Sequence, residues 1–199
     1  MDVVIRAASP DDAPAIAGVH VTSLRASSTD LLPAHLVPLV LAPPGAAPRA
    51  SAWRRWIERA RTSTFVSLVG GSVTGFCTLH PSPHSGGADA GRRTDARDGD
   101  ADRADPGDSG GGAGACGEIA SFYVLPAEWR QGTGRRLGET AVAEAHARGF
   151  AEVAIWVLET NARARGFYEA LGFRPDGESK VFLERPYATW RELRYRRAV

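Results

Sequence analysis

Cysteine is nearly missing from this chain. Cys77 and Cys116 are the two thiols among 199 residues, too few for a disulfide framework and too few for a zinc site. Long apolar runs are missing as well. Nothing approaches the roughly 18–20 consecutive apolar residues that a membrane-spanning helix needs. The opening stretch, MDVVIRAASPDD, meets charge at Asp2, Arg6, Asp11 and Asp12 and so lacks the apolar core of a signal peptide. A charge excess is also missing. The formal net charge is +1, which leaves no strong field to draw the chain onto nucleic acid or an anionic bilayer. The one basic cluster near the C-terminus, RELRYRR, reads better as a final strand. These absences predict a cytoplasmic chain with neither nucleic acid nor membrane as partner. Its 43% apolar content and its length suit one domain with a real core, spanning 1–199.

One further absence is local. From Pro81 to Ala115 there is no Val, Ile, Leu, Met, Phe, Tyr or Trp. Gly, Ala, Asp and Arg dominate, and such a segment buries too little apolar surface to offset the entropy of ordering it. Residues 84–113 are therefore expected to form a disordered insertion within the domain.

Around that insertion the elements alternate. VVIRAA reads as a first strand. Ser9, Pro10 and the acids after them open a helix expected to run to about Arg25. Residues 31–61 read as helix in two pieces, broken by APPGAAP at 42–48, with Trp53, Trp56 and Ile57 on one face of the second. TFVSLVGGSVTGFCTLH is a hairpin about the pair Gly70-Gly71. Then come a strand in GEIASFYVL, a helix from Gly132 to about Arg148, a strand in AEVAIWVLE and a short helix opened by Asn161 and closed by Gly172. GFRPDGE reads as a turn, SKVFLE as a strand and WRELRYRR as the last one. The order predicts an α/β fold, a mixed sheet with helices on its faces.

The stretch RQGTGRRLG, 130–138, sits between a strand and a helix start. Turn amides and the first amides of a helix converge there, and the helix dipole adds positive potential. Gly132 and Gly134 leave room for a phosphate, and Arg135 and Arg136 add charge at its rim. Two standard nucleotide loops are excluded, because GxxxxGK[ST] is absent and the glycines lack GxGxxG spacing. A bare helix-start turn explains the glycines equally well at this level.

Taken with WVLETNARARGFYEALGFRPDG at 156–177, the stretch YVLPAEWRQGTGRRL at 123–137 resembles the GNAT superfamily of acetyl-CoA-dependent N-acetyltransferases. The likeness extends over nearly the whole chain. Family loops read Q/R-x-x-G-x-G/A; here Trp129 stands at the first position, while the Gly-x-Gly is intact. The resemblance implies a mixed, mostly antiparallel sheet, splayed between strands 4 and 5 and flanked by helices. It implies acetyl-CoA as cosubstrate, with no metal. Phe122, Tyr123 and Val124 would lend backbone to the pantetheine arm and the thioester oxygen. Arg130, Gln131, Gly132, Thr133, Gly134 and Arg135 would hold the pyrophosphate. Asn161 would reach the pantetheine region, and Tyr168 would act as general acid.

The chemistry asks for such groups. An alkylamine with a pKa near ~10.4 arrives charged at neutral pH and must lose a proton before it can attack. Negative charge then develops on the carbonyl oxygen, where a strand N–H can meet it. A departing thiolate needs a proton, which a tyrosine can donate. Glu118 lies fourteen positions before Gly132, as the catalytic glutamate does in histone-acetylating relatives, and is the candidate base, directly or through water. A strand-end carboxylate of no catalytic use is the alternative. The glutamate that ribosomal-protein acetyltransferases place five positions before the asparagine is here Trp156, so that scheme does not transfer. Asn161 also suits a helix cap and Tyr168 also suits core packing. Cys116 as a covalent acyl carrier, and His20 or His35 as catalytic groups, are disfavoured against packing or surface roles. Trp53 and Trp56 suit the core, with an acceptor-pocket role open to one of them. The expected acceptor is a small-molecule or protein amine, its identity open, as is association into a homodimer. The rival function is a non-catalytic acyl-CoA sensor on the same fold.

Overall fold

A computed structural model describes residues 2–31, 33, 46–82, 115–185 and 188–199. The 84–113 insertion, His35 and the first helical piece expected after residue 31 lie outside them. Seven strands carry the fold: β1 (Val3–Ala7), β2 (Ser63–Val69), β3 (Ser72–Pro81), β4 (Cys116–Val124), β5 (Glu152–Leu158), β6 (Arg174–Arg185) and β7 (Ala188–Ala198). Four helices accompany them: α1 (Ala13–Leu31), α2 (Ala46–Ile57), α3 (Thr133–Ala147) and α4 (Ala162–Ala170). The strand order is β1-β2-β3-β4-β5-β7-β6. The β4–β5 pair is parallel, whereas β1–β2, β2–β3, β5–β7 and β6–β7 are antiparallel. This is the mixed, mostly antiparallel sheet that the resemblance implies.

The chain falls into two compact units. The first takes Met1–Leu79 and Ser121–Ala141, the second His80–Ala120 and Val142–Val199. In the first, Asp12 fastens the entry to α1. Its carboxylate accepts from Arg6 Nη1 and Nη2 at 2.7 and 2.8 Å and from the backbone N–H of Ser9 at 2.7 Å. The Arg6 guanidinium holds this carboxyl well below its usual range, at about 2. Ile16, Val19, Trp53, Val66 and Phe76 are buried as one cluster, so Trp53 serves the core. The hairpin turns where expected. Val69 pairs with Ser72, and Gly70 and Gly71 take φ of 58° and 81°, a left-handed pair that glycine adopts without strain.

In the second unit Val153, Ile155 and Val157 of β5, Tyr195 of β7, and Phe150, Tyr168, Leu171 and Phe173 are each buried. Three boundaries differ from the sequence reading. Helix α2 begins at Ala46, inside the expected break at 42–48, and stops at Ile57 rather than near residue 61. Helix α1 continues to Leu31 rather than stopping near Arg25. Strand β6 starts at Arg174, so the expected turn GFRPDGE is drawn into the strand as an irregularity between Pro175 and Ser179.

Candidate active site

The residues expected to act are divided between the two units. The first carries the turn expected to hold the pyrophosphate. After β4, Pro126–Glu128 make a single 3₁₀ turn. Trp129 then folds back, its Nε1 donating to the carbonyl of Val124 at 2.8 Å. The family's usual Q/R position is thus filled here by an indole that fixes the turn against its own strand. Gln131 spends its side-chain amide on the carbonyl of Ala127 at 2.6 Å. Arg130 is the one non-glycine residue with positive φ among those described, at 63°, a conformation that costs an L-residue energy. Gly132 follows at φ 85°, and a Cβ placed on it would meet nothing within 4 Å. The space beside the turn at Gly132 is therefore open.

Helix α3 starts at Thr133, and its ladder opens with Arg136 N donating to Gly132 O at 3.1 Å. The amides of Thr133, Gly134 and Arg135 precede that bond, so by helix geometry they are the group available to an anion. The hydroxyl of Thr133 is buried and has no hydrogen-bond partner among the described residues. Arg135 and Arg136 are both exposed. Arg136 is engaged elsewhere, donating through Nη1 to the carbonyl of Val3 at 2.6 Å.

On β4, Tyr123 stacks on Phe76 with ring centroids 5.5 Å apart and meets His20 at 4.6 Å. His20 is buried on α1 and also lies edge-on to Trp53 and Phe76 at 5.5 and 6.1 Å. Burial lowers its pKa to about 4, with Arg49 contributing, so the imidazole is neutral at physiological pH. The packing role expected of His20 is its role here. Nothing in the sequence signalled its neighbours, because they come from three other elements.

The second unit carries the proton-transfer candidates. Glu118 is half-buried on β4, registers opposite Ala154, and accepts from Ser82 Oγ at 3.2 Å. Asn161 caps α4: its Oδ1 accepts from Ala164 N at 3.0 Å. Tyr168 lies within that helix, buried beside Phe167 and Phe173 at ring distances of 5.4 and 6.2 Å. The helix is tied to β7 by Tyr195, whose hydroxyl accepts from Arg165 Nε at 3.0 Å and donates to Glu169 Oε1 at 3.1 Å. That anchor was not legible in the sequence, where Tyr195 is one aromatic inside a basic strand. Cys116 is buried, and burial with the charge of Glu152 pushes its thiol up to about 11. A thiol so disfavoured as thiolate is a poor acyl carrier.

Among the described residues no group of His, Cys, Asp and Glu is arranged to hold a metal ion, and no helix is long and apolar enough to cross a membrane.

Comparison with known proteins adds to this geometry. The model of the acetyltransferase (GNAT) family matches residues 34–173. A probable N-acetyltransferase of Mycobacterium tuberculosis is 26% identical over 186 residues, 89% of this chain and 83% of that protein. A mycothiol acetyltransferase of Streptosporangium roseum is 42% identical over 67 residues, which are 34% of this chain and 20% of that protein. Among solved structures, the PaiA N-acetyltransferase of Thermoplasma acidophilum in complex with coenzyme A has a TM-score of 0.64 at 13% identity, with 100% of both chains covered. An N-acetyltransferase from Staphylococcus aureus has a TM-score of 0.65 at 17% identity, covering 100% of this chain and 99% of that one.

Proposed function

Because the chain belongs to the acetyltransferase (GNAT) family, we propose that it transfers an acetyl group from acetyl-CoA to a primary amine that attacks the thioester directly. One observation carries the cofactor assignment. The turn ending at Gly132 is open at that glycine and leads into α3, a helix of fifteen residues, which suits a pyrophosphate seated at the helix N-terminus.

Acetyl-CoA supplies the acyl group already activated as a thioester. The residues of this chain supply the rest. Arg130 and Arg135 add positive charge beside the turn. The backbone of Phe122–Val124 offers strand amides to the pantetheine arm and to the oxygen on which charge develops. Asn161 holds α4 in place through its cap and, by the family resemblance, is assigned to the pantetheine arm. Glu118 takes a proton from the amine, directly or through water, with Ser82 fixing one of its oxygens. Tyr168 gives its hydroxyl proton to the departing thiolate.

Thiol release from acetyl-CoA across a panel of primary amines tests this reading. A sensor of the same fold binds CoA and releases none. In the active enzyme, Tyr168→Phe keeps the ring and its packing and is expected to lower kcat by roughly 10²–10⁴-fold. Glu118→Gln is expected to show a deficit that shrinks as pH approaches the amine's own pKa of ~10.4. An unaltered kcat in Tyr168→Phe, with chemistry limiting turnover, removes Tyr168 from the mechanism.

A further inference from the structure

The charged face of β5, β6 and β7 has no role in the mechanism above. Along β5, Trp156 registers opposite Arg194 and Leu158 opposite Glu192, and Lys180 of β6 registers opposite Glu192. The guanidiniums here have carboxylates of their own. Asp176 takes Arg194 Nε at 2.7 Å and Arg196 Nε at 2.8 Å, and Arg196 also pairs with Glu152. Glu192 is matched differently. Its buried carboxylate has Lys180 Nζ 3.2 Å away, and that same nitrogen lies 4.4 Å from the centroid of the Trp156 ring. Lys180 is the one lysine in a chain with 23 arginines.

An indole face and a desolvated carboxylate together form a cage for an ammonium, a compact point charge that needs no planar fork. The cage already holds one, the end of a butylammonium chain supplied by the protein itself. That occupant is displaceable. Strand β6 ends the strand order, the Lys180 side chain keeps 30% of its exposure, and its flexible stem can swing to solvent without breaking a ladder bond. The cage also lies next to the proposed chemistry. Trp156 directly follows Ile155, which with Ile119 makes the last β4–β5 pair, and the charge of Glu118 acts on the carboxyl of Glu192. Burial pushes that carboxyl upward, Lys180 opposes the shift and Glu118 adds to it.

We propose that Trp156 and Glu192 form the subsite for the acceptor's alkylammonium group, which Lys180 occupies until the acceptor displaces it. The inference rests on the acetyltransferase reading and narrows its acceptor to an alkylamine of the lysine side-chain kind. Exchange of one ammonium for another keeps the buried carboxylate paired until the bound nitrogen gives up its proton. The held nitrogen passes one proton to Glu118. Its lone pair then forms the N–C bond, the C–S bond breaks, Tyr168 protonates the departing sulfur, and the second proton shed by the nitrogen restores the Tyr168 hydroxyl, leaving a neutral amide and a free thiol.

The test uses n-butylammonium, the lysine side chain without its backbone, and 1-butanol as its uncharged counterpart. Calorimetric titrations are run on the wild type, Lys180→Met and Glu192→Gln. Methionine keeps most of the stem, so added affinity cannot come from filling a hole; Lys180→Gln repeats the test should the methionine variant fail to fold. The ammonium is expected to bind Lys180→Met about tenfold more tightly than the wild type, because its competitor is gone, and Glu192→Gln at least tenfold more weakly. Butanol is expected to bind none of them, and KM for n-butylammonium is expected to follow the same order. Equal affinities in all three proteins, or no binding to Lys180→Met, overturn the proposal. Thiol release with other amines but no binding of the alkylammonium removes this subsite and leaves the transferase. Binding that depends on Lys180 and Glu192, with no thiol release from any amine, removes the transferase reading and the acceptor role with it, leaving only a cation cage.

Discussion

Acid should unfold this protein partly through one imidazole. His20 is 4% exposed, packed among Trp53, Phe76 and Tyr123, and its Nδ1 has no hydrogen-bond partner among the described residues. Burial, with Arg49 assisting, takes its pKa from 6.5 to about 4. The unfolded chain therefore binds a proton between these values while the folded chain does not, and stability falls as pH drops through that window. At about 1.4 kcal/mol per pH unit the whole gap is worth about 3 kcal/mol, of which about 2 kcal/mol is lost by pH 5. The perturbation that isolates it is His20→Phe, which keeps a ring at the site and removes the titration. Urea unfolding of both proteins at pH 7.5, 6, 5 and 4.5 gives the difference in stability at each pH. The variant is expected to gain about 2 kcal/mol on the wild type between pH 7.5 and 5. Glu192, whose raised pKa gives stability that is lost as pH rises, acts in the opposite direction but equally in both proteins and cancels. Asp12 contributes stability that is lost only below its ordinary 3.8, toward about 2, outside the window. Two pH profiles that run parallel, within about 0.5 kcal/mol, would refute a neutral buried His20.

Two further predictions concern backbone in the first unit. A Cβ on Gly75 of β3 would lie 2.7 Å from Ser67 Oγ and 2.9 Å from the carbonyl oxygen of Tyr123. The serine can rotate but the carbonyl cannot, so Gly75→Ala should cost about 1–3 kcal/mol in urea unfolding, and a loss below a few tenths would show that β4 yields easily. Arg130 holds φ of 63° on an exposed turn, so Arg130→Gly should raise stability by about 0.5–1 kcal/mol while weakening CoA binding through the lost charge; a variant that is less stable would mean the strain is not there.

What the sequence disclosed was local chemistry. Gly70-Gly71, the Asn161 cap and the Gly132 turn each follow from how one or two residues treat their own backbone, and each stands where expected. The misjudged boundaries are places where context overrode such signals. ASSTD after Arg25 looks like the end of a helix, yet Ser27 Oγ turns back to the carbonyl of Ser23 at 2.7 Å and α1 runs on. Pro175-Asp176-Gly177 looks like a turn, yet strand β6 absorbs it as an irregularity. The contacts that matter most at the candidate site are not local at all. His20 meets Tyr123, and Lys180 meets both Trp156 and Glu192, through strand register that no window of sequence contains.

Strand β7 serves two masters by parity. Its odd position Tyr195 is buried and wired to α4, while its even positions Glu192, Arg194 and Arg196 make the ion pairs of the opposite face. A shift of one residue exchanges the two sets wholesale. It would drive Arg194 or Arg196 into the place of a fully buried tyrosine, free the helix that carries Tyr168, and empty the Glu192 cage in a single step. Individual side chains on this strand can drift under selection one at a time, but its length cannot: a one-residue insertion or deletion between Leu193 and Arg196 should be tolerated far less than any single substitution there.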